Sequence, residues 1–229
     1  MDPKKLFIDE RFKGVCAYCG KVANSPDHTP SKAFLDEPYP DNLPVVDACI
    51  KCNGGFSADE EYLSCLIECV IQGTTKHDEK FREKVASTLQ ARPNIASRIE
   101  AGKQIDKNKI PIWQPEWHRV KNVVLKLARG HISFELGLQL INDPIILDVL
   151  PMASMSDDEF DIFNSLDHEN LYPEVGSRAF VNVLTGKPTA FGGWHIVQKG
   201  RYRYAIGQSC GNWVKLVLSE YLACHVVWD

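Results

Sequence analysis

No stretch of this 229-residue chain is apolar for long enough to cross a bilayer. Its opening, MDPKKLFIDERFKG, lacks the apolar segment that a secretion signal needs. The expectation is a cytoplasmic protein that meets no membrane. Basic residues are not in surplus either: Lys and Arg number 26 against 30 Asp and Glu, a formal net charge of −4. That balance excludes a protein that holds nucleic acid by bulk attraction, so any such contact must rest on local residues. Internal repeats and low-complexity segments are absent. What remains is the composition of an ordinary globular chain, 44% hydrophobic and 24% charged. Its length suits one large domain or two small ones.

Three textures follow one another. Residues 14–56 are rich in turns, with Pro26, Pro30, Pro38, Pro40 and Pro44 breaking any long helix. Helical periodicity comes next. Ser57 and Glu60 read as a capping box that opens a helix carrying Leu63, Leu66, Ile67 and Val70 on one face. A second helix is expected over Asp78–Gln90. A third, from Pro115 to Arg129, turns Trp117, Val120, Val124 and Leu127 inward and leaves Lys121, Lys126 and Arg129 on its surface. From about residue 172 the period shortens. Arg178–Leu184, Trp194–Gln198, Arg201–Ile206, Trp213–Leu218 and Ala223–Trp228 read as strands of an antiparallel meander, with a hairpin turn at Gly200. The fold class expected is α+β, with one region over 1–75 and an accessory region over 76–229.

Eight cysteines stand in a chain without a secretion signal, where a reducing compartment favours metal binding over disulfides. Cys16-Ala-Tyr-Cys19-Gly and Cys49-Ile-Lys-Cys52-Asn are the sharpest pattern. Two residues between thiolates let one tight turn offer both sulfurs to one ion, and two such turns complete a tetrahedral site. Gly20 suits the positive φ of such a turn. A closed four-cysteine site gives its metal, zinc, a structural role in a segment with few large apolar residues. Cys65 and Cys69, four apart on an apolar helix, read as core, and Cys210 and Cys224 are read the same way.

Between the cysteine pairs lie Asp27-His28-Thr29-Pro30 and Asn42-Leu43, and Asn53 follows the last cysteine. This order resembles the zinc-containing HNH endonucleases, a family with a ββα-metal, treble-clef-like fold, over residues 14 to about 72. The resemblance implies that His28 is the general base, that Asp27 and Asn53 hold a catalytic Mg²⁺ or Mn²⁺, and that Asn42 braces the loop that orients His28. Those residue types suit phosphodiester hydrolysis. An imidazole activates water near neutral pH, and a cation on oxygen ligands stabilises charge on the phosphate. Asp27 and His28 would point to opposite sides of a strand unless the backbone bends, as the flanking Pro26 and Pro30 would allow.

The expected function is metal-dependent cleavage of DNA, with RNA an equally readable substrate. Residues 76–229 would serve substrate choice, assembly of copies, or docking to a protein partner. HNH modules with accessory domains are frequent in bacterial and phage-defence nucleases, which suggests such a setting. The alternative is a non-catalytic, zinc-stabilised binding module for protein or nucleic acid. Asp59, Glu60 and Glu61 read as helix-start chemistry, with Glu61 the one to watch as an added ligand. Arg201-Tyr-Arg-Tyr204 reads as a half-buried strand with a solvated edge. His77, His118, His131, His168, His195 and His225 have no ligand spacing and receive no role.

Overall fold

The computed structural model describes residues 12–76, 78–105, 107, 111–166 and 172–229; His77 and His168 lie outside these. In chain order the elements are β1 (Ser25–His28), β2 (Val45–Ala48), α1 (Ile50–Gln72), α2 (Glu83–Ala91), α3 (Pro93–Ala101), β3 (Lys103–Ile105), β4 (Pro111–Trp113) and α4 (Trp117–Leu136). Then come β5 (Ile146–Pro151), α5 (Asp157–Asn164), α6 (Arg178–Leu184), β6 (His195–Gln198), β7 (Tyr202–Gly207), β8 (Asn212–Leu218) and β9 (Leu222–Trp228). The chain forms two compact units. One joins the described residues up to Gly55 to Val124–Asp229, and the other is the described part of Phe56–Val123. α1 and α4 each contribute residues to both.

The first unit is built on a five-stranded antiparallel sheet in the order β5-β9-β8-β7-β6. Alternation along β7 sends Tyr202, Tyr204 and Ile206 to one face, in register with Leu218, Leu216 and Val214 of β8. α4 covers that face, where the His131 ring stacks on Tyr204 with centroids 3.7 Å apart. On the other face Phe163 of α5 packs with Val217 and Ala223, and Met152, Met155 and Trp194 border them. Four of the five expected strands lie in this sheet. The fifth, Arg178–Leu184, is instead helix α6: the Ser177 side chain accepts from the Phe180 N–H at 3.1 Å and caps it. Its place in the sheet goes to β5, whose run Ile146–Pro151 pairs along β9.

β1 and β2 pair antiparallel, with Ser25, Pro26, Asp27 and His28 opposite Ala48, Asp47, Val46 and Val45. α1 follows at once and starts at Ile50, seven residues ahead of the expected cap at Ser57. Its first turn is capped from outside. The Asn24 side chain accepts from Ile50 N–H at 2.8 Å, and the Cys49 sulfur accepts from Cys52 N–H at 3.4 Å. These satisfy donors that a helix start leaves open, so Ser57 falls inside the helix.

Helix α4 passes β1 at Gly130, where an added Cβ would stand 2.6 Å from Thr29 Oγ1 and 3.0 Å from Thr29 Cβ. Thr29 is itself buried. Gly130→Ala should therefore destabilise the protein by about 1–3 kcal/mol through overpacking, although alanine is the better helix former by about 1 kcal/mol. Urea unfolding would measure the difference, and a more stable variant would refute the close approach.

In the second unit Cys65 and Cys69 are buried, as expected of core residues, and burial pushes both thiols up to about 12. Asp59 accepts from Arg119 and from the Asn122 amide at 2.7 Å, and Glu61 pairs with Arg92. Asp59, Glu60 and Glu61 thus sit within α1 rather than at its start. Val120 is buried as expected, but Trp117 is 44% exposed. No helix among the described residues is long and apolar enough to cross a membrane.

Candidate functional site

The first cysteine pair sits in a tight loop. Cys16 N–H donates to Lys21 O at 2.7 Å, Gly20 N–H to Cys16 O at 3.0 Å, and Gly20 has φ +71°. An L side chain is strained at that φ, which is why glycine follows the pair. The loop is fastened to β2 by Ala17 N–H on Asp47 O at 2.9 Å, and by Gly14 N–H on the Asp47 carboxylate at 2.7 Å. The Gln139 amide holds the Cys16 carbonyl at 2.7 Å. The second pair straddles the start of α1, with Cys49 just before it and Cys52 in its first turn. All four sulfurs lie within 4.8 Å of one another, a group that can hold a metal ion. The Cys52 N–H lowers the Cys49 thiol to about 7, whereas burial raises Cys16 and Cys52.

Asp27 and His28 stand at the far end of β1. The pairing of β1 with β2 is regular through both, so their side chains leave on opposite sides without the bend that the flanking prolines would allow. Asp27 is buried. Its Oδ2 accepts from the Tyr18 hydroxyl at 2.7 Å and holds the Lys126 ammonium at 2.9 Å. Lys126 is 2% exposed, which corrects its expected place on the surface of α4. Its long side chain reaches from α4 to the buried carboxylate and offsets its charge. His28 is partly exposed, and its Nδ1 is buried without a hydrogen-bond partner. Burial, then the Lys32 charge, holds the ring below the ordinary imidazole range.

Asn53, on the second turn of α1, donates from Nδ2 to Pro26 O at 2.9 Å and to Ser25 Oγ at 3.3 Å. This clamps α1 onto β1 and leaves Oδ1 as the acceptor atom. Among the described residues no hydrogen bond joins Asn53 to Asp27, or Asn42 to His28. Asn42 is exposed on the stretch between the strands and lines a small cavity with Pro44. No protein-family model, no curated protein and no solved structure matches the chain.

Two features escaped the sequence. Tyr18 lies inside the first cysteine pair, and nothing in its spacing marks it as a partner of Asp27. The second is a buried polar chain between α4 and β7. The His131 ring meets the Tyr202 hydroxyl at 2.8 Å, and the Tyr204 hydroxyl donates to Glu135 Oε1 at 2.6 Å. The only signal was a His and a Glu four residues apart at the end of an apolar helix, the ordinary look of a core face. Arg201 and Arg203 are spent on Asp36 and Glu220, in keeping with a structural strand. Cys224 is buried as expected, but Cys210 is exposed, in the turn between β7 and β8.

Proposed function

We propose that this chain is a metal-dependent nuclease of the HNH type, in which a zinc-stabilised ββα module cleaves DNA with His28 as general base. The carrying observation is the arrangement around the cysteines. A two-stranded ladder with His28 at the end of its first strand leads straight into a helix whose Asn53 clamps that strand, beside four clustered thiols. Zinc fits the thiols. Four sulfurs about 2.3 Å from one ion stand about 3.8 Å apart at tetrahedral corners, and Cys19 Sγ and Cys49 Sγ are 3.8 Å apart. No position is left open on such an ion, so it holds the fold and takes no part in the reaction.

A neutral imidazole can take a proton from water, and the lowered affinity of His28 for protons keeps it neutral at pH 7. Asp27 and Asn53 offer one carboxylate and one amide oxygen, a donor set that suits Mg²⁺ or Mn²⁺ keeping most of its waters. Such an ion would stabilise charge on the phosphate. Lys126 beside Asp27 opposes it and makes the binding weak. We place the protein in the cytoplasm, with DNA as substrate, RNA as the variant of the same chemistry, and a protein partner or second copy delivering it.

A second reading, a non-catalytic zinc scaffold for protein or nucleic acid, is favoured by one observation: Lys126 and Tyr18 already occupy Asp27 Oδ2, one of the two oxygens it could offer a cation. Cleavage of supercoiled plasmid, with Mg²⁺, Mn²⁺ or EDTA, separates the two. The nuclease reading expects divalent-dependent nicking that falls by about 10²–10⁴-fold in His28→Ala, with zinc content and thermal unfolding unchanged. A folded, zinc-loaded protein that never nicks supports the scaffold instead.

A further inference from the structure

A cavity of about 120 Å³ in the first unit, room for about four waters, opens beside the stretch between β1 and β2. Asn42, Glu135, Arg178, His195 and Tyr204 all line it. Pro44 lines it too, and the Pro44 carbonyl accepts the Thr29 N–H at 3.0 Å. One wall residue of the cavity is thus hydrogen-bonded to the residue that follows His28.

Glu135 is the unexplained group in its wall. The residue is 4% exposed, and its Oε1 takes the Tyr204 hydroxyl at 2.6 Å. Oε2 is buried with no hydrogen-bond partner. Arg178 Nε stands 3.9 Å from it, too far for a hydrogen bond, and the Arg178 side chain is about half exposed (52%). A buried acceptor left unmade costs about 1–3 kcal/mol. Such a group calls for a partner from outside the chain, a water or a bound molecule. The Arg178 guanidinium also lies over the Phe134 ring, 4.5 Å from its centroid. Glu135 Oε2 itself has almost no accessible surface, so a ligand reaches it only where the half-exposed Arg178 side chain moves aside.

Arg178 is shared with a larger cavity of about 470 Å³, to which Lys13 and Lys187 add positive charge and Asp47 one carboxylate, leaving an excess of cations. A cationic cleft beside a small polar hole suits a phosphate chain with one base turned aside. Oε2 asks for an N–H, and Arg178 offers N–H to a carbonyl. Guanine, thymine and uracil present a ring N–H beside a carbonyl; adenine has no carbonyl at all.

We infer that this cavity is a base pocket, in which a keto base gives its ring N–H to Glu135 Oε2 and its carbonyl to Arg178. The choice of a nucleobase rests on the nuclease reading above. The contacts would set which nucleotide lies next to His28, a preference that net charge alone cannot supply.

Calorimetric titration of the zinc-loaded protein with dGMP, dTMP, dCMP and dAMP tests this. Mononucleotides contain no phosphodiester link to cut, so binding is read whether or not the protein is a nuclease. We expect dGMP and dTMP to bind at least about tenfold more tightly than dAMP, an energy of about 1.4 kcal/mol. Glu135→Gln keeps an acceptor for Tyr204 but turns an amide donor toward the base, and it should erase that preference. Arg178→Ala, at a half-exposed side chain, should weaken both keto nucleotides and spare the fold. Equal affinity for dAMP, wild-type selectivity in Glu135→Gln, or no saturable binding of any nucleotide would overturn the pocket. Selectivity without plasmid cleavage would sink the nuclease reading alone, and cleavage without selectivity would sink the pocket alone.

Discussion

Cys49→Ser should strip the zinc and unravel β1, β2 and the cysteine loop while the five-stranded sheet survives. The magnitude follows from what holds that segment. Structural zinc supplies about 10–16 kcal/mol of apparent binding energy in small finger peptides at pH 7, and in such a segment that energy is folding energy. The apolar support here is thin: of the large side chains between residues 14 and 48, only Tyr18, Phe34, Leu35 and Val46 are buried. The sheet has its own core on both faces, Val217, Ala223 and Trp213 on one and Tyr202, Tyr204 and Leu216 on the other, and neither contains a cysteine of the cluster. Hydrogen exchange should therefore show protection lost over Ser25–His28 and Val45–Ala48 but kept over Tyr202–Gly207 and Asn212–Leu218. Metal analysis should find about one zinc per chain in the wild type and none in the variant. Because thiols must lose protons to bind metal, the wild type should also release zinc as pH falls. Protection retained across β1 and β2 in the zinc-free variant would mean that packing alone holds them.

How much of this was legible in the sequence depends on the distance over which each signal acts. The two Cys-x-x-Cys turns are local chemistry, and the structure brings all four sulfurs together. Four strands of the sheet were readable from Val, Ile, Tyr and Trp between polar breaks, because alternation is a property of neighbours. Residues Arg178–Leu184 have the same composition yet form a helix. There the Ser177 hydroxyl caps the first turn from just outside the run. The start of α1 was misplaced for a related reason: its cap comes from Asn24, on the other side of the ladder. No window of local sequence contains that contact. Lys126 is the plainest case of all. On helical spacing it is an ordinary surface lysine, and only the arrival of β1 from a hundred residues away makes it a buried partner of Asp27. The catalytic-type residues share this limit. Their order between the cysteines could be read, but the company that Asp27 keeps could not.

That company supplies the last large effect. Lys126→Met removes the ammonium from a pair whose side chains are only 1% and 10% exposed, and it leaves a carboxylate facing the Tyr18 hydroxyl alone. Breaking a buried pair from one side costs about 3–5 kcal/mol, since the remaining charge is desolvated without its partner. Removing both charges, as Asp27→Asn with Lys126→Met, should recover most of that loss, because two neutral groups of similar size leave nothing uncompensated. The coupling between the two substitutions, read from urea unfolding of the four proteins, measures the pair itself. The same variant also bears on catalysis. If Asp27 can ligate a divalent cation, taking away the neighbouring ammonium should strengthen the site. Millimolar Mn²⁺ should then raise the melting temperature of Lys126→Met more than that of the wild type, and should leave the double variant unmoved. If Mn²⁺ stabilises none of them, Asp27 is the anchor of Lys126 and not a metal ligand. The ladder, the helix and the zinc would then form a scaffold, and His28 would have lost the ion that its chemistry needs.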